Sequence, residues 1–227
     1  MELLDENIYV LRYPLKVMSC SLGRVVTVIR TQSGKTLIHS TAPFSEEEIK
    51  SIRQIGKPGW LLEATNFHDT NAPAGRAAFQ GIPYLVPEGF PKADSLEALT
   101  IEAGTAGLDE EFKFIKIEGI PKLNEHAVFH VPSRTLILAD LIFNLPESVG
   151  GWTKWLLKTA SRIDQFPGQS AYFRHFIEDQ SAYQKSIRKL ALLDFNKIIF
   201  GHGEPIIDQA KEKFVGVLKE ELTDRED

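Results

Sequence analysis

The sequence is poor in cysteine, in long apolar runs and in basic charge. Cys20 is the only cysteine among 227 residues, so no intrachain disulfide can form, and we expect a buried thiol in a reducing compartment. No run of 18 apolar residues exists, which excludes a membrane-spanning helix. The first residues lack the basic start and apolar core of a signal peptide. A net charge of −5 argues against a nucleic-acid surface. We therefore expect a cytoplasmic protein that binds neither membrane nor nucleic acid.

A hydrophobic content of 43% is enough to bury a full core, which fits one domain or two closely packed halves, and we predict a single domain over residues 1–227. The apolar pattern predicts two strand-rich blocks, each followed by helices. Ser45-Glu-Glu-Glu48 has the form of a capping box and predicts a helix to about Gln54. Strands are predicted over residues 8–12, 24–30, 35–39, 60–65, 82–87, 112–117, 126–131, 134–140 and 197–200. Further helices are predicted over residues 72–79, 149–192 and 206–221. This order favours an α/β fold with two packed sheets and helices outside.

One carboxylate lies inside an apolar, strand-like run. Asp140 follows Thr135-Leu-Ile-Leu-Ala and precedes Leu141-Ile-Phe143. An unpaired buried charge costs several kcal/mol, so such an aspartate is normally paired or bound to a metal. Asp140 is therefore a candidate metal ligand.

Histidines occur at the ends of three other predicted strands. They are His68 after Trp60–Thr65, His130 in Ala127-Val-Phe-His130, and His202 in Gly201-His202-Gly203. Imidazole and carboxylate are ligands that suit zinc and other divalent metals. These three histidines and Asp140 together predict a metal site.

On these residues the chain resembles the metallo-β-lactamase-like superfamily, in a branch whose metal-binding motif is incomplete. That superfamily has a His-x-His-x-Asp-His loop, a later histidine, an aspartate after a strand and a Gly-His-Gly near the C-terminus. The matching segments here are Asn66-Phe-His-Asp-Thr-Asn71, His130, Leu138-Ala-Asp140 and Gly201-His-Gly203. The resemblance implies a four-layer αββα sandwich with metal at one edge of the sheets.

Three residues of the loop depart from that pattern. Asn66, Thr70 and Asn71 stand where the superfamily has histidine, aspartate and histidine. By the resemblance, the first metal site retains His68, His130 and Asp140, whereas the second retains only Asp140 and His202. Three ligands with an open position suffice for a catalytic ion, and two are too few for a stable one. The resemblance thus implies one metal or none, with zinc favoured over iron or manganese.

In the superfamily that this chain resembles, the aspartate at the position of Thr70 holds the attacking water and takes its proton, so the resemblance implies that this base is missing here. Asp69 is adjacent and is the candidate replacement. Asn66, Thr70 and Asn71 are then predicted to line the pocket, as is His39, which ends a strand near where the substrate loop of the superfamily begins. His126 lies four residues before His130, roughly 13 Å along a strand at about 3.3 Å per residue, so both cannot bind one ion.

Each candidate also has a structural alternative. His68 can bond a loop carbonyl, His130 can cap a strand, and Asp140 can accept backbone amides. In the region 149–192, Trp152 and Trp155 begin an apolar stripe at helical spacing that continues with Leu156, Ala160 and Ile163. This stripe closes the core, forms a lid, or makes a contact between copies in a homo-oligomer.

Two functional hypotheses remain. The first is a mononuclear metal-dependent hydrolase acting on a small ester, thioester, amide or phosphoester. The second is a catalytically silent protein of the same fold that uses the cleft for a small ligand or a protein partner. The retained His68, His130, Asp140 and His202 favour the first. The replacements in the loop favour the second.

Overall fold

The structure is a computed structural model that describes residues 1–17, 20–105, 107–108, 110–146, 151 and 166–223. Contacts within the chain divide it into two compact units. The first unit comprises Met1–Tyr13 and Arg24–Phe112, and the second comprises Pro14–Gly23 and Lys113–Asp227. Among the described residues, no helix has the length and apolar character needed to span a bilayer. The prediction of a single domain over residues 1–227 stays a prediction.

The strands and helices follow the order expected from the sequence. The strands are Glu2–Asp5 (β1), Ile8–Tyr13 (β2), Lys16–Val17 (β3), Cys20–Ser21 (β4), Arg24–Arg30 (β5), Lys35–His39 (β6), Lys57–Leu62 (β7), Tyr84–Val86 (β8), Leu99–Thr100 (β9), Phe112–Lys116 (β10), His126–His130 (β11), Thr135–Leu138 (β12) and Lys197–Phe200 (β13). The α-helices described are Glu46–Ile55 (α1), Ala72–Ala78 (α2), Ile101–Gly104 (α3), Ala171–Arg174 (α4), Gln180–Leu192 (α5), Ala210–Val217 (α6) and Lys219–Leu222 (α7), with a 3₁₀ turn at Asp94–Leu96.

The first unit is built on a seven-stranded sheet in the order β1-β2-β5-β6-β7-β8-β9. The predicted strands β5 and β6 form an antiparallel hairpin, in which Val28 pairs with Ile38. Gly34 sits in its turn with a φ of 77°, a conformation that glycine adopts without a steric cost. From β6 to β9 the strands run parallel. An apolar core packs on this sheet and includes Val26, Ile38 and Leu61.

Helix α1 begins with the capping box that the sequence predicts. The Ser45 hydroxyl accepts the Glu48 N–H at 3.2 Å, and the Glu48 carboxylate accepts the Ser45 N–H at 2.8 Å. These bonds satisfy N–H groups that the first helical turn leaves unpaired. The predicted capping box is therefore confirmed.

The second unit is built on a four-stranded sheet in the order β10-β11-β12-β13. β11 and β12 are antiparallel, whereas β12 and β13 are parallel, with Leu138 paired to Phe200. A second apolar core packs here and includes Leu136, Ile198 and Phe214. Cys20 is buried in this unit beside Leu145, as expected for a structural thiol.

Several predicted elements have different bounds in the structure; the strand predicted over residues 60–65, for example, is Lys57–Leu62. The helix predicted from Ile206 begins only at Ala210, because Ile206 exchanges two backbone hydrogen bonds with Ile198. The prediction was therefore wrong about the start of this helix. In the region 149–192, the described part holds α4 and α5, and the stripe from Trp152 to Ile163 lies outside the described residues.

Candidate metal site

Asp140 and His202 come together because their strands are parallel neighbours. β12 ends at Leu138 and β13 ends at Phe200, and these two residues are paired in register. Asp140 lies two residues after the end of β12, and His202 lies two residues after the end of β13. As a result, His202 Nε2 lies 3.2 Å from Asp140 Oδ1, and both side chains are buried. Asp140 itself lies in the turn after the strand, not within the strand.

The hydrogen bond on the other ring nitrogen fixes the tautomer of His202. Its Nδ1 lies 2.6 Å from the backbone carbonyl oxygen of Gly23. A carbonyl oxygen only accepts, so Nδ1 carries the proton and Nε2 offers its lone pair when the ring is neutral. Phe143 stacks on the ring at 5.2 Å between centroids and limits its rotation.

Gly203 allows the chain to pass close to a neighbouring loop after His202. Its φ is 101°, and a Cβ at this position would lie 2.1 Å from the backbone oxygen of Asn144. Only glycine tolerates both the conformation and the contact. The second glycine of the Gly-His-Gly segment is therefore required by the backbone that holds His202.

A buried carboxylate supports the turn that carries Asp140. Glu125 is fully buried and accepts the backbone N–H groups of Ala139 at 2.9 Å, Asp140 at 3.0 Å and Leu141 at 3.2 Å. Burial, and after it the negative charge of Asp140, raise the pKa of Glu125 to about 8. The three N–H donors oppose this rise because they stabilise the ionised form. Glu125 and Asp140 are therefore two buried carboxyl groups that lie close together, and Asp140 contacts His202.

His130 and His126 are held by local hydrogen bonds in the same unit. His130 Nδ1 lies 2.7 Å from the Ser133 hydroxyl, and His126 Nδ1 lies 3.1 Å from the Asn124 carbonyl oxygen. Within the described part of the chain, the ligand atoms of Asp140 and His202 lie close enough together to bind one ion, and His130 is not part of that group. Its assignment as a ligand stays a prediction from the sequence.

In the first unit, His68 lies beside a carboxylate that the sequence analysis did not single out. His68 Nδ1 is 3.5 Å from Glu63 Oε2, and both side chains are buried. Burial alone would raise the pKa of Glu63. The hydrogen bond from His68 and the charges of Arg24 and His68 hold this pKa below its ordinary value. An ionised Glu63 favours the tautomer of His68 that carries its N–H on Nδ1, which leaves Nε2 as the ligand atom.

Glu63 is the centre of a buried polar network. Its carboxylate accepts the Thr41 N–H at 2.6 Å and the Ser40 hydroxyl at 3.1 Å. Arg24 donates to the Ser40 hydroxyl at 2.9 Å, and its Nη1 lies 4.0 Å from Glu63 Oε2. The network thus pairs the buried carboxylate of Glu63 with the buried guanidinium of Arg24. Such pairing is needed because an unpaired charge in the protein interior is costly.

His39 is buried in the same unit, with 1% of its surface exposed. Burial lowers its pKa to about 4; Glu63 opposes this shift, while His68 and Arg24 add to it. His39 is therefore neutral at pH 7. Its predicted role as a pocket-lining residue stays a prediction.

The loop around His68 contains the other predicted pocket residues. Asp69 and Asn71 accept backbone N–H groups from Ala72 and Gly75 through their carbonyl oxygens, and these bonds start α2. The Asn66 side chain donates to the Glu88 carbonyl oxygen at 3.3 Å. Thr70 is exposed, whereas Asp69 is partly buried. Asn66 therefore has a structural bond where the resemblance would place a metal ligand.

Sequence reasoning missed Glu63 and gave Glu125 no role. Glu63 lies in Trp60-Leu-Leu-Glu-Ala64, where a charge interrupts an apolar strand in the same way as Asp140 does. That signal was available in the sequence. Glu125 gives no such local signal, because its partners are backbone groups of a distant turn.

The sequence matches no family model, and no curated protein matches it significantly. Solved structures do resemble it. A structure of the metallo-β-lactamase TMB-1 has a TM-score of 0.62 at 15% identity, over 97% of this chain and 96% of that one. The metallo-β-lactamase from Erythrobacter litoralis has a TM-score of 0.60 at 16% identity, over 96% and 91%. The metallo-β-lactamase from Pontibacter korlensis has a TM-score of 0.58 at 11% identity, over 95% and 96%.

These likenesses extend over nearly the whole chain. They show that the chain has the metallo-β-lactamase fold, an α/β sandwich, as the sequence predicts. At such low identity they establish the fold alone. Any activity must be argued from the residues of this chain.

Proposed function

We propose that this protein is a mononuclear metal-dependent hydrolase that acts on a small molecule. The substrate classes considered are esters, thioesters, amides and phosphoesters. The metal is one divalent ion, with zinc favoured over iron or manganese.

The arrangement of His202 and Asp140 carries this proposal. A neutral His202 with its proton on Nδ1 points a lone pair at an anionic oxygen 3.2 Å away. Two electron pairs that face each other in a buried site repel, so a cation must lie between them or near them. A proton can meet this need, and so can a metal ion. A second buried carboxyl group, Glu125, accepts the backbone N–H of Asp140 and lies close to this pair.

Two ligands are too few for a catalytic ion, so the proposal requires a third. The resemblance makes His68 a ligand of an ion that Asp140 also binds, and we propose His68 for this role. Support comes from within the first unit, where Glu63 engages Nδ1 of His68 in the way that carboxylates orient metal-binding histidines. His68 and His202 thus both present Nε2 as the ligand atom.

The proposal is for one metal and not two. By the resemblance, Thr70 and Asn71 replace two ligands of a second ion, and Asn66 replaces one ligand of the first. The Asn66 side chain donates to the Glu88 carbonyl oxygen instead. A divalent ion, when bound, supplies Lewis acidity and a hydroxide nucleophile at neutral pH. Among the residues of the chain, Asp140 balances the charge of the ion, the two histidines hold it, and Asp69 is the proposed acceptor of the proton from water.

The proposal is tested on the full chain, purified without chelator and without a metal-affinity tag. Elemental analysis should find close to one metal per chain. The zinc-loaded protein should hydrolyse at least one of four probes: p-nitrophenyl acetate, acetylthiocholine, an amino-acid p-nitroanilide and bis(p-nitrophenyl) phosphate. His202→Ala should lose both metal and activity.

Two other outcomes would contradict the proposal. Two metals per chain would contradict the ligand count. A folded protein that takes up no zinc would favour the silent protein of the same fold, which uses its cleft for a ligand or partner.

A further inference from the structure

Glu125 lies at the start of the hairpin formed by β11 and β12 and is fully buried. Both oxygens of its carboxylate are used. Oε1 accepts the N–H groups of Ala139 and Leu141, and Oε2 accepts the N–H of Asp140 itself. One side chain therefore binds three consecutive backbone groups around a proposed metal ligand.

These three backbone groups need such a partner. Residues 139–141 follow the last residue of β12 and lie in a turn, where no neighbouring strand receives their N–H groups. Buried N–H groups without an acceptor are costly, so nearly all of them are bonded in folded proteins. The two oxygens of the Glu125 side chain accept all three N–H groups at 2.9, 3.0 and 3.2 Å.

The position of the Asp140 carboxylate depends on this turn. Asp140 must lie at a fixed distance from His202, which is held separately by the Gly23 carbonyl oxygen. A small rotation of the peptide between Ala139 and Asp140 would move the carboxylate away from the imidazole. Metal affinity depends on such supporting groups, whose loss typically costs about 10- to 100-fold.

We propose that Glu125 is a positioning residue for Asp140, and that it sets the geometry of the metal site before the metal binds. This inference rests on the proposed metal site. Glu125 does not touch the ion. It acts through the backbone of the ligand turn.

The test compares Glu125→Gln with a matched control, Glu221→Gln. Glu221 is also a buried glutamate of the second unit, but it accepts from the side chains of Gln180 and Gln184. Zinc affinity is measured by competition with a chromophoric chelator, at a temperature where each variant is folded. Glu125→Gln should weaken zinc binding about 10- to 100-fold. Glu221→Gln should leave it unchanged.

The absorption spectrum of bound Co²⁺ reports ligand geometry and not stability. It should change in Glu125→Gln and stay as in the wild type in Glu221→Gln. Equal affinity and equal spectra for Glu125→Gln and the wild type would overturn the inference. A wild type that binds no zinc would instead overturn the proposed function.

A second measurement covers the case in which Glu125→Gln does not fold. Amide hydrogen exchange of the wild type without metal should show protection at Ala139, Asp140 and Leu141, because Glu125 already binds these groups. Rapid exchange at all three amides without metal, with protection only after zinc is added, would overturn the inference.

Discussion

His68 Nδ1 lies 3.5 Å from Glu63 Oε2, and both side chains are almost completely buried. The same carboxylate accepts from Ser40 and Thr41 and lies near the Arg24 guanidinium. Glu63 therefore has two tasks. It balances a buried cation, and it sets the tautomer of a histidine that is a proposed metal ligand.

Replacing Glu63 should destabilise the protein strongly. Glu63→Gln keeps the shape of the side chain but leaves the charge of Arg24 buried without its anion, so the free energy of unfolding should fall by about 3–5 kcal/mol. The control is Glu97→Gln, because Glu97 forms a surface ion pair with Arg76 in the same unit. Exposed pairs are worth about 0–1 kcal/mol. Urea unfolding of both variants provides the measurement, and equal midpoints would contradict the assigned role of Glu63.

The roles of His130 and His202 can be separated by metal content. The ligand atoms of Asp140 and His202 group together without His130, so we expect His130→Ala to keep close to one zinc per chain. His202→Ala should lose it. Elemental analysis after dialysis against metal-free buffer provides the measurement. Loss of zinc in His130→Ala, with the fold intact by circular dichroism, would support the sequence-based assignment of His130 as a ligand.

Asp140→Asn should weaken metal binding without lowering the stability of the metal-free protein. The amide removes a negative charge beside Glu125, and its N–H can donate to Nε2 of His202. Without metal, the variant should therefore melt at the same temperature as the wild type or higher. With zinc, the wild type alone should be stabilised, because ligand binding to the native state raises its free energy of unfolding. Melting curves with and without zinc provide the test. A variant that melts lower under both conditions, beside a wild type that does not respond to zinc, would identify Asp140 as a structural acceptor only.

Stability should fall in mild acid because of His39. Its pKa is lowered to about 4 in the folded protein, from 6.5 in the unfolded chain. Between these values the unfolded state binds more protons, so the contribution of His39 is complete above about pH 6.5 and declines as the pH falls toward 4. A shift of this size corresponds to roughly 3 kcal/mol. The charged groups that act on His39 are Glu63, His68 and Arg24.

The matched control for this pH effect is His175, which is exposed. His39→Gln does not titrate, so its unfolding free energy should depend less on pH than that of the wild type between pH 4 and 6.5. His175→Gln should behave like the wild type. Chemical denaturation at several pH values gives both slopes. Parallel curves for the wild type and His39→Gln would show that another group causes the loss in acid.

The pairing of Asp140 with His202 could be anticipated from sequence because each residue follows an apolar strand. Polar residues directly after buried strands collect at one edge of a sheet. The capping box of Ser45 and Glu48 could also be predicted from the sequence, because both residues lie within one helical turn. These predictions needed only local information.

The partners of the supporting residues Glu63 and Glu125 could not be predicted in the same way. Glu63 meets Arg24 and Ser40 only through the register of neighbouring strands, in which His39 pairs with both Thr27 and Leu62. The partners of Glu125 lie across a hairpin. The start of α6 was misplaced because Ile206 pairs with a strand residue, and periodicity alone does not show such a bond. Register and long-range backbone pairing are properties of the folded sheet.

The parallel pairing of Thr135–Leu138 with Lys197–Phe200 has a consequence for how this protein can change in evolution. Parallel neighbours must be joined by a crossover, and the length of that crossover does not alter the register of the two strands. The segment between Asp140 and His202 can therefore accept insertions or deletions while the two side chains keep their separation. In distant sequences we expect this interval to vary widely. The number of residues between the end of each strand and its polar residue, Asp140 or His202, should stay fixed. This number determines whether the two side chains come into contact.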